Sequence, residues 1–154
     1  MVAFIWNLAL LALAVPALAI PAPSETLDLS KRTITDIKQA GCGGTKFFSR
    51  AQVQAAAQAA VNHQRAGTTV GFNNYPHEFF NSPDNVPFQA GCNAPWFEFP
   101  IMSNRQIFTG ASGPGPDRVV IGSISNTAND AVLCGVMTHT GAPNPRLFVG
   151  CNLS

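Results

Sequence analysis

The sequence predicts an α+β domain in which one long α-helix packs on a short antiparallel β-sheet. Three observations carry this prediction: one capped helical segment, a later run of short strand-like segments, and 4 cysteines among 154 residues. A single helix followed by several strands is typical of a sheet with a helix on one face. The length fits one domain and leaves no room for a Rossmann or barrel enzyme with a second unit.

The helix is predicted over residues 50–66. Ser49 is a candidate N-cap, and Gln52, three residues later, completes a capping-box pattern. The segment is rich in Ala and Gln and contains no Gly or Pro, and Gly67 follows as a natural C-terminal stop. One face carries small apolar residues that can dock on a sheet, namely Val53, Ala57, Ala60 and Val61.

Beyond the helix, the pattern changes to short strands separated by turn clusters rich in Gly, Pro, Ser and Asn. Residues 96–102 alternate, which predicts Trp96 and Glu98 on one face of a strand and Phe97 and Phe99 on the other. Further strands are predicted over residues 106–109, 118–122, 132–139 and 147–149.

The N-terminal residues are predicted to be a targeting segment. The apolar run of residues 8–15 is too short to span a membrane, which takes about 20 residues. Ala17-Leu18-Ala19 fits a signal-peptidase site, so we expect a signal peptide over residues 1–19 and a secreted protein. Residues 20–32 end in Lys31-Arg32, which fits either a processing site that leaves a domain of residues 33–154 or a solvated charge pair on a tail.

Four cysteines in a secreted chain indicate two disulfides, for which three connectivities exist. The spacings contain no Cys-x-x-Cys pair, which argues against a zinc site. Cys42 and Cys151 lie near the two ends of the mature chain, and a bond between them closes a loop of about 110 residues. Cys92 then pairs with Cys134, and we expect this arrangement.

Four polar residues lie within or beside the apolar strands: Glu98, Arg118, His139 and, earlier in the chain, His77. A carboxylate, a guanidinium and two imidazoles on one sheet face would form a general acid–base site with a cation for a developing anion. The alternative is a buried Glu98–Arg118 ion pair beside two incidental histidines.

Ordered motifs make the chain resemble the secreted fungal guanyl-specific ribonucleases of the T-one type and their purine-preferring relatives. The motifs span about residues 42–151. They are Tyr75-Pro76-His77, Trp96-Phe97-Glu98-Phe99-Pro100-Ile101, Gly115-Pro116-Asp117-Arg118-Val119-Val120 and Thr138-His139-Thr140-Gly141, followed by Phe148 and Cys151. The expected pairing of Cys92 with Cys134 is similar to a disulfide pairing in the purine-preferring branch of this family.

The resemblance implies an endoribonuclease that needs neither metal nor cofactor. It is expected to cleave single-stranded RNA after purines, with guanine favoured, by transphosphorylation to a 2′,3′-cyclic phosphate. The requirement for a 2′-hydroxyl explains why RNA rather than DNA is the substrate. Glu98 is the implied general base, His139 the general acid, and His77 assists the base and binds phosphate. The other implied roles are stabilisation of the transition-state charge by Arg118, a hydrogen bond from the Tyr75 hydroxyl to phosphate, and exclusion of water by Phe148.

The segment after the Tyr-Pro-His motif, implied to recognise the base, departs from the guanine-specific pattern. Phe79 stands where a stacking Tyr is expected, and Phe80 replaces an expected Asn, next to Asn81. Pro83 falls at the position of a guanine-binding Glu, which leaves Asp84 as the nearest acid. If Asp84 contacts the base edge, guanine is favoured; if it points into solvent, adenine and guanine are cut alike.

Two other functions are compatible with this resemblance: a ribotoxin-like effector acting on host RNA, and a non-catalytic RNA-binding member. Ribosome-directed relatives carry long basic loops, whereas this chain has a net charge of +1 and short connections. A non-catalytic member is expected to lose Glu98, Arg118 or His139, and all three are present. We therefore expect a monomeric enzyme that acts on RNA and, in its mature form, does not bind membranes.

Overall fold

The computed structural model describes residues 33–125 and 130–154. The predicted signal peptide and the segment 20–32 lie outside these residues. The elements in chain order are β1 (Ile34–Thr35), β2 (Ala40–Cys42), β3 (Lys46–Phe48), α1 (Arg50–Ala66), β4 (His77–Glu78), β5 (Phe97–Pro100), β6 (Asp117–Gly122), β7 (Ala131–Thr138), β8 (Val149–Gly150) and β9 (Asn152–Leu153). No helix in the described residues is long and apolar enough to cross a membrane.

The predicted α+β class is confirmed, with the strands arranged in two sheets. The main sheet has the order β1-β7-β6-β5-β4, and β8 also pairs with β7. Its pairings are antiparallel except for the short parallel pairing of β1 with β7. A smaller antiparallel sheet has the order β3-β2-β9.

Helix α1 has the predicted bounds and the predicted caps. The Ser49 hydroxyl accepts from the Gln52 amide at 3.3 Å, and the Gln52 side chain accepts from the Ser49 amide at 3.1 Å. Gly67 ends the helix at φ 62°, a left-handed conformation that glycine adopts without steric cost. The predicted docking face is buried and packs mainly on β5 and β6.

The two faces of the main sheet carry different groups. One face, with Phe99, Val119 and Ile121, shares a hydrophobic core with the helix. The opposite face carries Val120 within a second apolar cluster, whose other members include Met137, Phe148, Phe88 and Trp96. Glu98 pairs with Val120 across β5 and β6, and Arg118 lies two residues before Val120, so both lie on this second face.

The prediction of a strand over residues 106–109 is wrong. Ile107 forms only an isolated bridge with Ile101. The apolar residue that matters is Phe108, which packs edge-on against Tyr75 and Phe99 in the core. The apolar signal there reflects one buried aromatic rather than a paired strand.

Both predicted disulfides form. The Cys42–Cys151 bond spans 109 residues and joins β2 to the residue between β8 and β9. The Cys92–Cys134 bond ties the segment before β5 to the middle of β7. The first bond therefore ties the smaller sheet to the residue after β8, and the second ties one flanking loop to the sheet that carries the polar residues.

Candidate active site

His77 and Glu98 face each other across β4 and β5, where the register pairs the two residues. The distance from His77 Nε2 to Glu98 Oε1 is 2.6 Å. The other ring nitrogen, Nδ1, lies 2.9 Å from the Asn73 carbonyl oxygen and must donate to it. At such a short distance, one proton must lie between Nε2 and the carboxyl oxygen. The pair therefore holds one exchangeable proton.

The surroundings of His77 favour the imidazolium form. The hydrogen bond to Glu98 is the largest cause that raises the pKa of His77 above 6.5, and the Asn73 carbonyl and the charge of Glu98 raise it further. Partial burial and the charge of Arg118 oppose these effects without reversing them. Glu98 is only 5% exposed, and no described residue hydrogen-bonds its buried Oε2 atom.

Arg118 is buried and rigidly held beneath the same face. Its Nη2 donates to the Tyr75 hydroxyl at 2.8 Å. Gly115, at φ 63°, gives the preceding turn a left-handed residue that brings backbone carbonyls to the guanidinium. Nη1 shares its two hydrogens among three carbonyl oxygens within hydrogen-bond distance, those of Pro114 (3.2 Å), Gly115 (2.7 Å) and Asp117 (2.9 Å). The cation is therefore fixed before any substrate binds.

Tyr75 links the cation to the histidine–carboxyl pair. Its ring stacks on His77 with centroids 4.7 Å apart, and the Arg118 guanidinium carbon lies 5.0 Å from its ring centroid. Because the Tyr75 oxygen already accepts from Arg118, its own proton remains available to donate to an anionic oxygen.

His139 lies directly after β7 and is oriented by the segment that precedes β8. Its Nδ1 atom lies 2.7 Å from the Leu147 carbonyl oxygen, so Nδ1 carries the proton of that hydrogen bond. Its ring stacks on Phe148 with centroids 3.8 Å apart. Phe148 also lies 5.7 Å from the Arg118 guanidinium carbon. The imidazole is thus held with Nε2 as the nitrogen that can exchange a proton with a substrate.

The structure joins the five predicted catalytic residues through one continuous series of contacts. Successive contacts run through Glu98, His77, Tyr75, Arg118, Phe148 and His139. A histidine–carboxyl pair therefore stands at one end, a buried cation in the middle and a second imidazole at the other end. This arrangement can take up a proton, stabilise negative charge and donate a proton.

The residues predicted to recognise a base differ in their exposure. Phe79 is half-buried, edge-on against Phe148 at 5.8 Å and Phe88 at 6.3 Å. Phe80 is 73% exposed and presents a free ring. Phe80, rather than Phe79, is therefore the more open aromatic surface in this segment.

Asn81 and Asp84 both make contacts within the protein. The side-chain amide of Asn81 donates through Nδ2 to the Val86 backbone carbonyl at 2.9 Å and accepts through Oδ1 from the Val86 backbone amide at 2.7 Å. These two hydrogen bonds close the loop of residues 81–86. Asp84 Oδ1 accepts from the Phe148 backbone amide at 2.5 Å. Asp84 therefore does not point freely into solvent, because one of its carboxyl oxygens already accepts a hydrogen bond from the protein backbone.

The backbone groups that orient the two imidazoles were not predicted from the sequence. The carbonyls of Asn73 and Leu147 have no side-chain signature, although the Gly71–Asn74 turn before the Tyr-Pro-His motif could have indicated the first. Lys46 was not predicted either, and it pairs with the buried Asp117 carboxyl at 2.8 Å, beside Arg118.

Comparison with known proteins identifies the family. A family model described as ribonuclease matches residues 35–152. The chain belongs to this ribonuclease family. The family predicted from the motifs is therefore confirmed.

Three fungal relatives illustrate how much of the chain this similarity covers. Guanyl-specific ribonuclease Th1 of Trichoderma harzianum is 43% identical over 108 residues, which cover 70% of this chain and 92% of the relative. Guanyl-specific ribonuclease N1 of Neurospora crassa is 33% identical over 160 aligned positions, covering 97% and 96%. Extracellular guanyl-specific ribonuclease Fl1 of Gibberella baccata is 39% identical over 113 residues, covering 73% and 95%.

Proposed function

We propose that this ribonuclease-family chain is a secreted, metal-independent endoribonuclease that cleaves single-stranded RNA after purines, with guanine favoured. The observation that carries the proposal is the placement of two proton-exchanging groups on either side of a buried, fixed guanidinium. In-line displacement at phosphorus places the attacking and leaving oxygens on opposite sides of the reacting centre, so it needs a base and an acid on opposite sides too. Guanine preference is supported by the relatives, which are named guanyl-specific.

The reaction begins at the histidine–carboxyl pair. With His77 as imidazolium, Glu98 stands as a carboxylate and takes the proton of the ribose 2′-hydroxyl. The 2′-oxygen attacks the adjacent phosphorus and forms the new O2′–P bond. His139 Nε2 then gives its proton to the 5′-oxygen as the P–O5′ bond breaks. The products are a 2′,3′-cyclic phosphate and a free 5′-hydroxyl.

The groups between the acid and the base stabilise the charge that develops on the phosphoryl oxygens. The Arg118 guanidinium is already desolvated and held by backbone carbonyls, so little reorganisation is needed when that charge appears. The Tyr75 hydroxyl supplies one further donor. The Phe148 ring covers one face of His139 and limits the access of water.

The proposal is tested by substituting the base and the acid. On the dinucleotide GpC, Glu98→Gln should lower kcat by a factor on the order of 10²–10⁴, the range expected for a lost general base. Some activity should survive, because His77 can partly replace the base. His139→Ala should be at least as damaging, because the leaving alkoxide needs a proton. Glu98→Gln with near-normal activity would refute the assigned base.

Matched controls keep the same chemical change away from the site. Asp130→Asn neutralises an exposed carboxylate that precedes β7, whereas His139 follows that strand, and His63→Ala removes an imidazole near the end of α1. Both variants should retain activity close to that of the unmodified chain. Comparable losses in the controls and in the site variants would contradict the assignment.

Base preference and export are tested separately. Initial rates on GpC and ApC should favour GpC, and equal rates would overturn the guanine preference. Export is supported by the Gibberella baccata relative, which is named extracellular. Expression of the full chain in a fungal host should yield active protein in the medium with residues 1–19 removed. Retention of the uncleaved chain in the cells would contradict the proposed export.

A further inference from the structure

We propose that Asp84 is a positioning residue for the general acid, and that it acts on His139 through the peptide bond between Leu147 and Phe148. The inference rests on the proposed function, in which His139 protonates the leaving oxygen. It differs from the sequence-based expectation that Asp84 contacts the edge of the base.

The contact between Asp84 and His139 runs through a single peptide group. The Leu147 carbonyl accepts from His139 Nδ1 at 2.7 Å, and the amide on the other side of that same peptide bond donates to Asp84 Oδ1 at 2.5 Å. A peptide bond is planar, so fixing its N–H also fixes the direction of its C=O. The Asp84 carboxylate therefore orients the carbonyl that orients the imidazole.

The same peptide group also carries the ring that stacks on the acid. Phe148 lies 3.8 Å from His139, centroid to centroid, and its amide is the donor to Asp84. Asp84 thus fixes both the in-plane hydrogen-bond partner of His139 and the aromatic ring against its face. A charged acceptor also polarises the peptide, which strengthens the hydrogen bond at the carbonyl end.

The loop that presents Asp84 is itself well held. Asn81 closes it by two hydrogen bonds to Val86, and the Asn85 amide donates to the Asn81 carbonyl at 3.1 Å. The Asn85 side chain donates to the Pro83 carbonyl at 2.7 Å. The Asp84 carboxyl group is therefore a fixed support rather than a mobile surface charge.

Two guanosine substrates separate acid positioning from base recognition. GpC has a nucleoside alkoxide as leaving group, which needs protonation, whereas guanosine 3′-(4-nitrophenyl phosphate) has a phenolate that leaves without an acid. Asp84→Ala removes the acceptor and should lower kcat on GpC roughly tenfold or more, with little change on the nitrophenyl ester. Asp84→Asn retains an oxygen that can accept from the Phe148 amide, so it should restore most of the lost rate.

Two controls complete the experiment, with every rate measured well below the Tm of the variant concerned. His139→Ala should show the same dependence on the leaving group, and adding Asp84→Ala to it should cause no further loss on GpC. Asp130→Asn removes an exposed carboxylate at the far end of β7, about 30 Å along the strand from His139. It should leave both rates unchanged.

Equal losses on the two substrates would overturn the inference, as would a fully additive double variant. A loss in Asp84→Asn as large as that in Asp84→Ala, with a lower preference for GpC over ApC, would instead assign Asp84 to base recognition. Failure of the proposed function is distinguishable, because the unmodified chain would then cleave neither substrate.

Discussion

Replacing Lys46 with Met should destabilise the protein, because it leaves the buried carboxylate of Asp117 without its cationic partner. Asp117 is 1% exposed, and one of its oxygens pairs with Lys46 Nζ at 2.8 Å. No described residue hydrogen-bonds its other oxygen, Oδ1. Lys46 is therefore the cation that balances this buried charge, and a methionine side chain of similar length cannot do so.

The expected cost follows from the burial of the two partners. Removing one partner of a buried ion pair costs about 3–5 kcal/mol. The Lys46 side chain is 33% exposed, so water already screens part of the pair, and we expect about 2–3 kcal/mol. A domain of about 120 residues has an unfolding entropy near 0.25 kcal/mol/K, so Tm should fall by about 8–12 °C.

The assay is thermal unfolding of the full chain at neutral pH, with Lys38→Met as the matched control because Lys38 is exposed. The double variant Lys46→Met/Asp117→Asn should recover at least half of the lost stability. If Lys46→Met shifts Tm no more than Lys38→Met does, the ion pair contributes nothing and the reasoning fails.

Three further predictions concern the site and the helix. Because the pKa of His77 is raised, its contribution to the stability of the folded protein is complete below pH 6.5 and is lost as pH rises through the pKa of the folded state. In Glu98→Gln, NMR titration should show a lower pKa for His77, and unfolding measurements should show a weaker pH dependence of stability over the same pH range. Ser49→Ala should cost about 1 kcal/mol through loss of the helix cap, with Ser112→Ala in an exposed turn as the control for Tm. Cleavage of GpC should persist in excess EDTA, because side chains supply the base, the acid and the cation; loss of activity restored by a divalent metal would contradict the mechanism.

The parts of the fold that the sequence predicted well are those whose signals are local. The helix has a cap at Ser49, a stop at Gly67 and an uninterrupted apolar stripe, so its bounds could be predicted to the residue. The β1, β2 and β3 strands were not predicted because each contains only 2 or 3 residues, too few for an alternating pattern.

The side chains of the site were predictable, whereas their supports were not. Glu98, Arg118 and His139 stand out as polar groups within apolar strands, and the motifs place them in a known family. The bond from Asp84 to the Phe148 amide joins residues 64 positions apart, and such a pairing of two loops leaves no trace in either segment. Backbone carbonyls also have no residue-type signature, so tertiary structure alone reveals them.

The two imidazoles of the site share one hydrogen-bonding feature and differ in another, and the difference supports the separate roles proposed for them. Each directs Nδ1 to a backbone carbonyl, that of Asn73 for His77 and that of Leu147 for His139. His77 Nε2 is also occupied, by the Glu98 carboxyl, whereas no described residue hydrogen-bonds His139 Nε2. In the proposed mechanism, His77 therefore exchanges its proton within the protein and keeps Glu98 ready as the base. His139 is left as the imidazole whose free nitrogen can meet the leaving oxygen.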